Sequence, residues 1–200
     1  EVSTTSLGAA VMAAADLDGD GNLDLISAAS EEDRVTWYRN EGGQYRVTTT
    51  NLASETILIN ETDAVLMIQA THLGRMQDSN LQLVQFELLF EEYQGKPLTS
   101  AEANALIESV FIYLDDGSGE LEFDKDIQVM RIDTLDLDGG RQVLDFDHQD
   151  PLMRLAHGSP KTYLIVVKIT PDAPSQAVNQ FLISHKLPPE DMVKYRDYDL

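Results

Sequence analysis

A mainly β chain is predicted, in two parts: an N-terminal β unit built round an acidic loop, then an antiparallel β-sandwich with one short helix. Three observations predict it. Residues 1–53 are rich in Ala, Gly, Ser and Thr and hold the stretch DLDGDGNLDL at 16–25. From residue 54 to 200, short β-branched and aromatic runs recur (AVLMIQATHL, LQLVQFELLF, VFIYL, IQVMRI, TYLIVVKIT, QFLISHK), parted by Gly, Asp, Asn and Pro. One segment, PLTSAEANALIESV, carries a helix start signal.

Taken in order, SLGAAVMAAA at 6–15 is a small, apolar strand. It is suited to pairing within its own chain, since sequential strands usually pair locally. Its other use is to lie along an open sheet edge of another copy, which gives strand-exchange assembly into fibres. VTWYRN and QYRVTTT, with NEGG between them, read as two strands joined by a Gly-containing turn. Trp37 is expected to pack between strands; its rival role is an exposed platform for a sugar ring. The strand spacing after residue 53 predicts an immunoglobulin-like (Ig-like) sandwich. The helix is expected near 100–110: Thr99 and Glu102 have the capping-box spacing, and Ala103, Leu106, Ile107 and Val110 form a helical stripe to pack on a sheet. PDAPSQ is a loop, and no tandem repeat is visible.

Composition narrows the function. With 42% hydrophobic and 24% charged residues, 200 residues bury a real core. Asp plus Glu number 35 against 14 Lys plus Arg, a formal charge of -21, which disfavours nucleic acid and anionic lipid surfaces as partners. There is no cysteine, so disulfides, thiolate metal sites and cysteine nucleophiles are excluded. No apolar run approaches the roughly 20 residues of a membrane span, so membrane insertion is not expected. The chain opens on Glu1 without a signal peptide and reads as a processed chain or an excised piece of a longer parent. His72, His148, His157 and His185 show no paired metal spacing, and GxSxG, P-loop and GxGxxG motifs are missing. Paired carboxylates suffice for glycoside hydrolysis, but with 35 acids that criterion discriminates nothing. The chain is read as a non-enzyme.

The acidic loop carries the main site expectation. Asp16, Asp18, Asp20 and Asp24 stand at positions 1, 3, 5 and 9 of a loop, with Asn22 at position 7. Alternate residues of a tight loop can aim oxygens at one centre, while Gly19 and Gly21 permit the turn. Many hard oxygen donors suit Ca2+ better than Mg2+ or a soft metal. An EF-hand is excluded, because position 12 is Ser27 and LDLISAAS runs toward a strand. The bland alternative is a solvated acidic turn. The stretch ADLDGDGNLDLISAASEEDRVTWYRNEGG, within residues 10–45, resembles an FG-GAP/VCBS repeat, the calcium-loop blade of integrin-like β-propellers. That resemblance implies side-chain ligation by Asp16, Asp18, Asp20 and Asp24 and a main-chain carbonyl from Asn22. A propeller needs ~4 to 8 blades and one copy is visible, so further blades are expected in a longer parent, or else the sheet edges need another cover.

YLDDGSGELEFDKD at 113–126 is a second candidate. Asp115, Asp116, Ser118, Glu122, Asp124 and Asp126 offer side-chain ligands and Glu120 a carbonyl, on a spacing that fits no single loop template. The alternative is a solvated hairpin turn. Asp136 and Asp138 in DTLDLDGG read as a solvated face before a turn. FELLFEEYQGKPLTSAEANALIESVFIYLDDGSGELE and YRDYDL resemble a domain that follows VCBS repeats in bacterial surface and secreted proteins; the likeness spans most of 62–200. The resulting expectation is an extracellular calcium-binding structural or adhesion module, with units 1–53 and 54–200. Its expected partners are protein (a second copy or neighbouring domains) and, in some settings, glycans. The rival is a carbohydrate-binding or accessory domain of a secreted glycoside-active enzyme.

Overall fold

The computed structural model describes residues 9–15, 17, 23–31, 33–38, 45–74 and 80–185. Its first strands are β1 (Ala9–Ala15), β2 (Asp24–Ala29) and β3 (Arg34–Tyr38), which form an antiparallel sheet in the order β1-β2-β3. They are followed by β4 (Tyr45–Asn51), β5 (Thr62–His72), β6 (Leu81–Gln82), β7 (Gln85–Tyr93) and β8 (Lys96–Pro97). After the helix α1 (Ser100–Leu106) come β9 (Ile107–Leu114), β10 (Ile127–Ile132), β11 (Arg141–Asp145), β12 (Arg154–Leu155), β13 (Lys161–Ile169) and β14 (Leu182–His185).

The sandwich follows from the apolar runs. One sheet has the order β10-β9-β13-β5-β4; the other has β11-β7-β14, with β8 also on β7 and a separate β12-β6 ladder. Period-two side-chain alternation sends Tyr163, Ile165 and Val167 of β13 into the main core, with Ile68 of β5 and Phe86, Leu88 and Phe90 of β7. Leu164 and Val166 point to the opposite face, where a smaller cluster with Tyr113 is flanked by Met67, Phe111 and Leu121. A strand buried on both faces belongs at a sheet centre, and β13 lies there, between β9 and β5. The chain is thus mainly β and antiparallel, as expected.

Four expectations are corrected or resolved. Among the described residues of VTWYRN and QYRVTTT, β3 and β4 do not pair with each other: β3 pairs with β2, whereas β4 pairs along its whole length with β5. Tyr45 and Val47 of β4 pack against the main core, a burial that a hairpin with β3 would forfeit. Strand pairing therefore crosses the position expected to divide the units. The helix ends at Leu106, short of the 100–110 expectation, and Ile107 and Val110 lie in β9 instead. Trp37 does not pack between strands but is 49% exposed, beside Val35 at 71%. Within 6–15, residues 9–15 pair inside their own chain, with β2.

The helix start is as read. Thr99 Oγ1 accepts from the Glu102 N–H and Glu102 Oε2 accepts from the Thr99 N–H at 2.9 Å, while Ala103 and Leu106 are buried. Gly139 and Gly140 make the tight turn into β11, both at positive φ, with reciprocal main-chain bonds of 3.0 Å between Asp138 and Arg141. Asp136 and Asp138 are exposed there, as a solvated face requires. A Cβ on Gly140 would lie 2.7 Å from both Phe90 O and Pro97 Cβ. Gly140→Ala is therefore expected to cost about 2 kcal/mol through left-handed strain and displacement of β8, read as a lower urea midpoint with an unchanged m-value.

Candidate metal centre

The connection between β9 and β10 brings carboxylates together because its two ends are pinned. Leu114 and Ile127 are paired across the ladder, so Asp115 and Asp126, next to them, meet at the loop's neck. Asp115, Asp116 and Asp126 each place a carboxylate oxygen within 4.8 Å of the others. Asp126 is the deepest, at 8% exposed. Its Oδ1 accepts from the Asp116 N–H at 3.0 Å and its Oδ2 from the Glu122 N–H at 2.8 Å. Asp115 Oδ2 accepts from the Gly117 N–H and Oδ1 from the Gly119 N–H, both at 3.0 Å. Asp116 Oδ1 accepts from the Ser118 N–H at 3.0 Å.

Five main-chain N–H groups are thus turned toward three acids, which needs a backbone curled on itself. Gly117 at φ +110 and Gly119 at φ +76 supply the curl. The loop is held down by the Asp115 N–H bond to Thr162 O at 3.0 Å and by Leu121, which packs on the outer cluster of the five-stranded sheet. Each carboxylate oxygen has two lone pairs, so Asp126 Oδ1 and Oδ2, Asp115 Oδ2 and Asp116 Oδ1, each accepting one of these bonds, retain one for a cation. The donor set is hard oxygen throughout, which fits Ca2+ and does not fit a soft metal.

The remaining residues of the second candidate lie around this group. Ser118 Oγ donates to Glu120 O at 3.1 Å and lies 3.4 Å from Asp115 Oδ1. The Glu122 carboxylate is paired with Lys125 Nζ at 2.5 Å, and this pairing holds the lysine's pKa above its ordinary value. Asp124 is exposed and stands outside the three-acid group. Lys125 is the partner that reading for ligands missed; its signal was the Glu–Lys spacing of three residues.

Of the first candidate, Asp16, Asp18, Asp20 and Asn22 lie outside the described residues. Asp24 opens β2 and is fully buried. Its Oδ2 accepts from the Leu17 N–H at 3.1 Å, which ties the acidic loop's entry to its exit.

Residues 4–65 match the family model of the FG-GAP-like repeat. The match contains the acidic loop and the whole of the 10–45 resemblance, runs through β1 to β4 into β5, and covers less than half of the chain. FG-GAP repeats are extracellular or adhesion-type β modules, structural rather than catalytic, and generally bind calcium. No curated protein matches the chain. No helix among the described residues is long and apolar enough to cross a membrane.

Proposed function

We propose that the chain is a calcium-dependent structural and adhesion module of a secreted or cell-surface protein. In this reading Ca2+ is held at 16–24 by Asp16, Asp18, Asp20, Asn22 and Asp24, and again at the β9–β10 connection by Asp115, Asp116 and Asp126. The observation that carries it is the second group: three carboxylates converge within 4.8 Å, and the adjacent ammonium, Lys125, is engaged by Glu122 instead. Like charges held that close raise one another's cost, and a divalent cation removes it. Ser118 and the Glu120 carbonyl brace the loop, while Glu122 and Asp124 guard its rim. The work of the ion is mechanical: it fixes a hairpin connection on the sandwich's outer face and closes the acidic loop at β2, leaving two rigid surfaces for protein contacts, including contacts with further copies.

Chelation tests this directly. A site filled at 100 times its Kd adds about 2.7 kcal/mol, several degrees of melting temperature for a chain of this size. EDTA is expected to lower Tm by that amount and to speed proteolysis within 16–24. Calorimetric titration with CaCl2 that gives no heat, together with an unchanged Tm, would end the proposal.

One observation favours a second reading, a carbohydrate-binding module. Trp37 is half exposed on the edge strand β3, and Val35 lies two residues along the same face, an open apolar strip of the kind on which a sugar ring stacks. A glycan array separates the two, since the lectin reading requires signal that Trp37→Ala abolishes.

A further inference from the structure

The two sheets of the sandwich are unequal. The larger runs on past β5 to β4, whereas the smaller ends at β14, which touches β5. No strand pairs with the outer side of β14 among the described residues. At that place lies a cavity of about 400 Å3, walled by Ile57, Val65, Leu106, Ile169, Phe181 and Ile183. Its volume falls in the range of built ligand sites, about 300–1,000 Å3.

Ladder geometry leaves main-chain groups on the outer edge of β14, beside this cavity, without a strand partner among the described residues. The Phe90 N–H donates to Gly140 O at 2.7 Å and its C=O accepts from the Leu98 N–H at 3.0 Å. Both partners lie on the β8/β11 side of β7. Phe90 is paired across the ladder with Ile183. In an antiparallel pair, a residue whose main chain turns away from its neighbour faces one that does the same. The Ile183 N–H and C=O therefore point out from the free edge of β14, while its side chain lines the cavity. A free main-chain edge beside an apolar recess is the combination that accepts an added strand.

We propose that β14 and this cavity form an acceptor site for an extended segment of a partner polypeptide, one with alternating apolar residues and a flanking Lys or Arg. Charge selects that occupant. Among the described lining residues Glu55 is the charged one and none is Lys or Arg. Asp63, which is not itself a lining residue, sets a second carboxylate beside the wall by accepting from the lining Ser54 Oγ at 3.2 Å. With a chain charge of -21, an acidic segment is repelled and a basic one drawn in. The site is separate from the calcium groups and does not depend on them.

The test uses the full chain and a fluorescein-labelled peptide of alternating valine and threonine with a lysine at each end, followed by anisotropy. Saturable binding is expected, with the Ile183 amide among the largest NMR shifts. Ala53→Trp, on an exposed lining position, fills the recess and is expected to weaken binding about tenfold. Glu55→Lys should weaken the lysine peptide and favour a glutamate-flanked counterpart. N-methylation along one peptide edge should abolish binding, since it removes the main-chain donors. The proposal is overturned by no saturable binding, by binding indifferent to N-methylation, or by shifts that avoid β14. Self-association of the free protein that Ala53→Trp abolishes would also overturn it, since it would assign the site to a second copy instead.

Discussion

Asp126→Ala is expected to lower the unfolding free energy by about 3–5 kcal/mol in calcium-free buffer, and to abolish any further stabilisation by calcium through this loop. The carboxylate is nearly fully buried and accepts the N–H groups of Asp116 and Glu122. Bonds to a charged acceptor contribute about 1.5–3 kcal/mol each, and truncation leaves both donors unmet. Asp126→Asn keeps one acceptor oxygen and should cost roughly half as much. Asp124→Ala, on the exposed rim, should stay within about 0.5 kcal/mol. Urea unfolding of the set, with and without calcium, separates scaffold from metal. If Asp126→Asn gains as much from calcium as the parent does, the ion does not sit here and the three-acid group is a self-contained turn.

The parts of this site that could be read from the sequence are those written in a few adjacent residues. Asp115, Asp116 and the glycines after them announce a turn rich in oxygen. Asp126, ten residues on, joins them because Leu114 and Ile127 are paired, and that register is a tertiary fact. The helix shows the same division. Its start is encoded by Thr99 and Glu102, whose two bonds are local. Its end is not, because Ile107 and Val110 satisfy helical spacing and strand alternation alike; pairing of β9 between β10 and β13 decided for the strand. The misplaced hairpin has the same cause. Turn chemistry at NEGG says that the chain reverses there, and the burial of Tyr45 and Val47 beside β5 decides what β4 pairs with. The expectation for Trp37 rests on the average habit of its residue type, which carries no information about how far this particular sheet covers it. The cavity beside β14 draws on residues from 51 to 183, so no local window contains it.

Acid should loosen the strand on which that cavity depends. His185 ends β14 opposite Leu88 and sets its ring edge-on to Phe86 at 5.6 Å. Its neighbours on this face of β7, Phe86, Leu88 and Phe90, carry no charge, and its Nδ1 is buried without a hydrogen-bond partner. Burial is the cause that pushes its pKa down from 6.5 to about 4. The sign follows: the unfolded chain takes up a proton near pH 6.5, and the folded chain resists it until about pH 4. The stability associated with neutral His185 is complete above pH 6.5 and drains away as the pH falls to about 4, by up to about 3 kcal/mol. Carboxylates titrate in part of the same window, so the comparison must be with His185→Phe, which keeps the edge contact and removes the proton site. The variant should match the parent near pH 8 to within about 1 kcal/mol and exceed it progressively on acidification. Native-state hydrogen exchange should show the amides of β14 opening before those of β13 in the parent at low pH. Parallel stability curves for parent and variant between pH 7 and 4 would mean that the imidazole reaches water without β14 letting go.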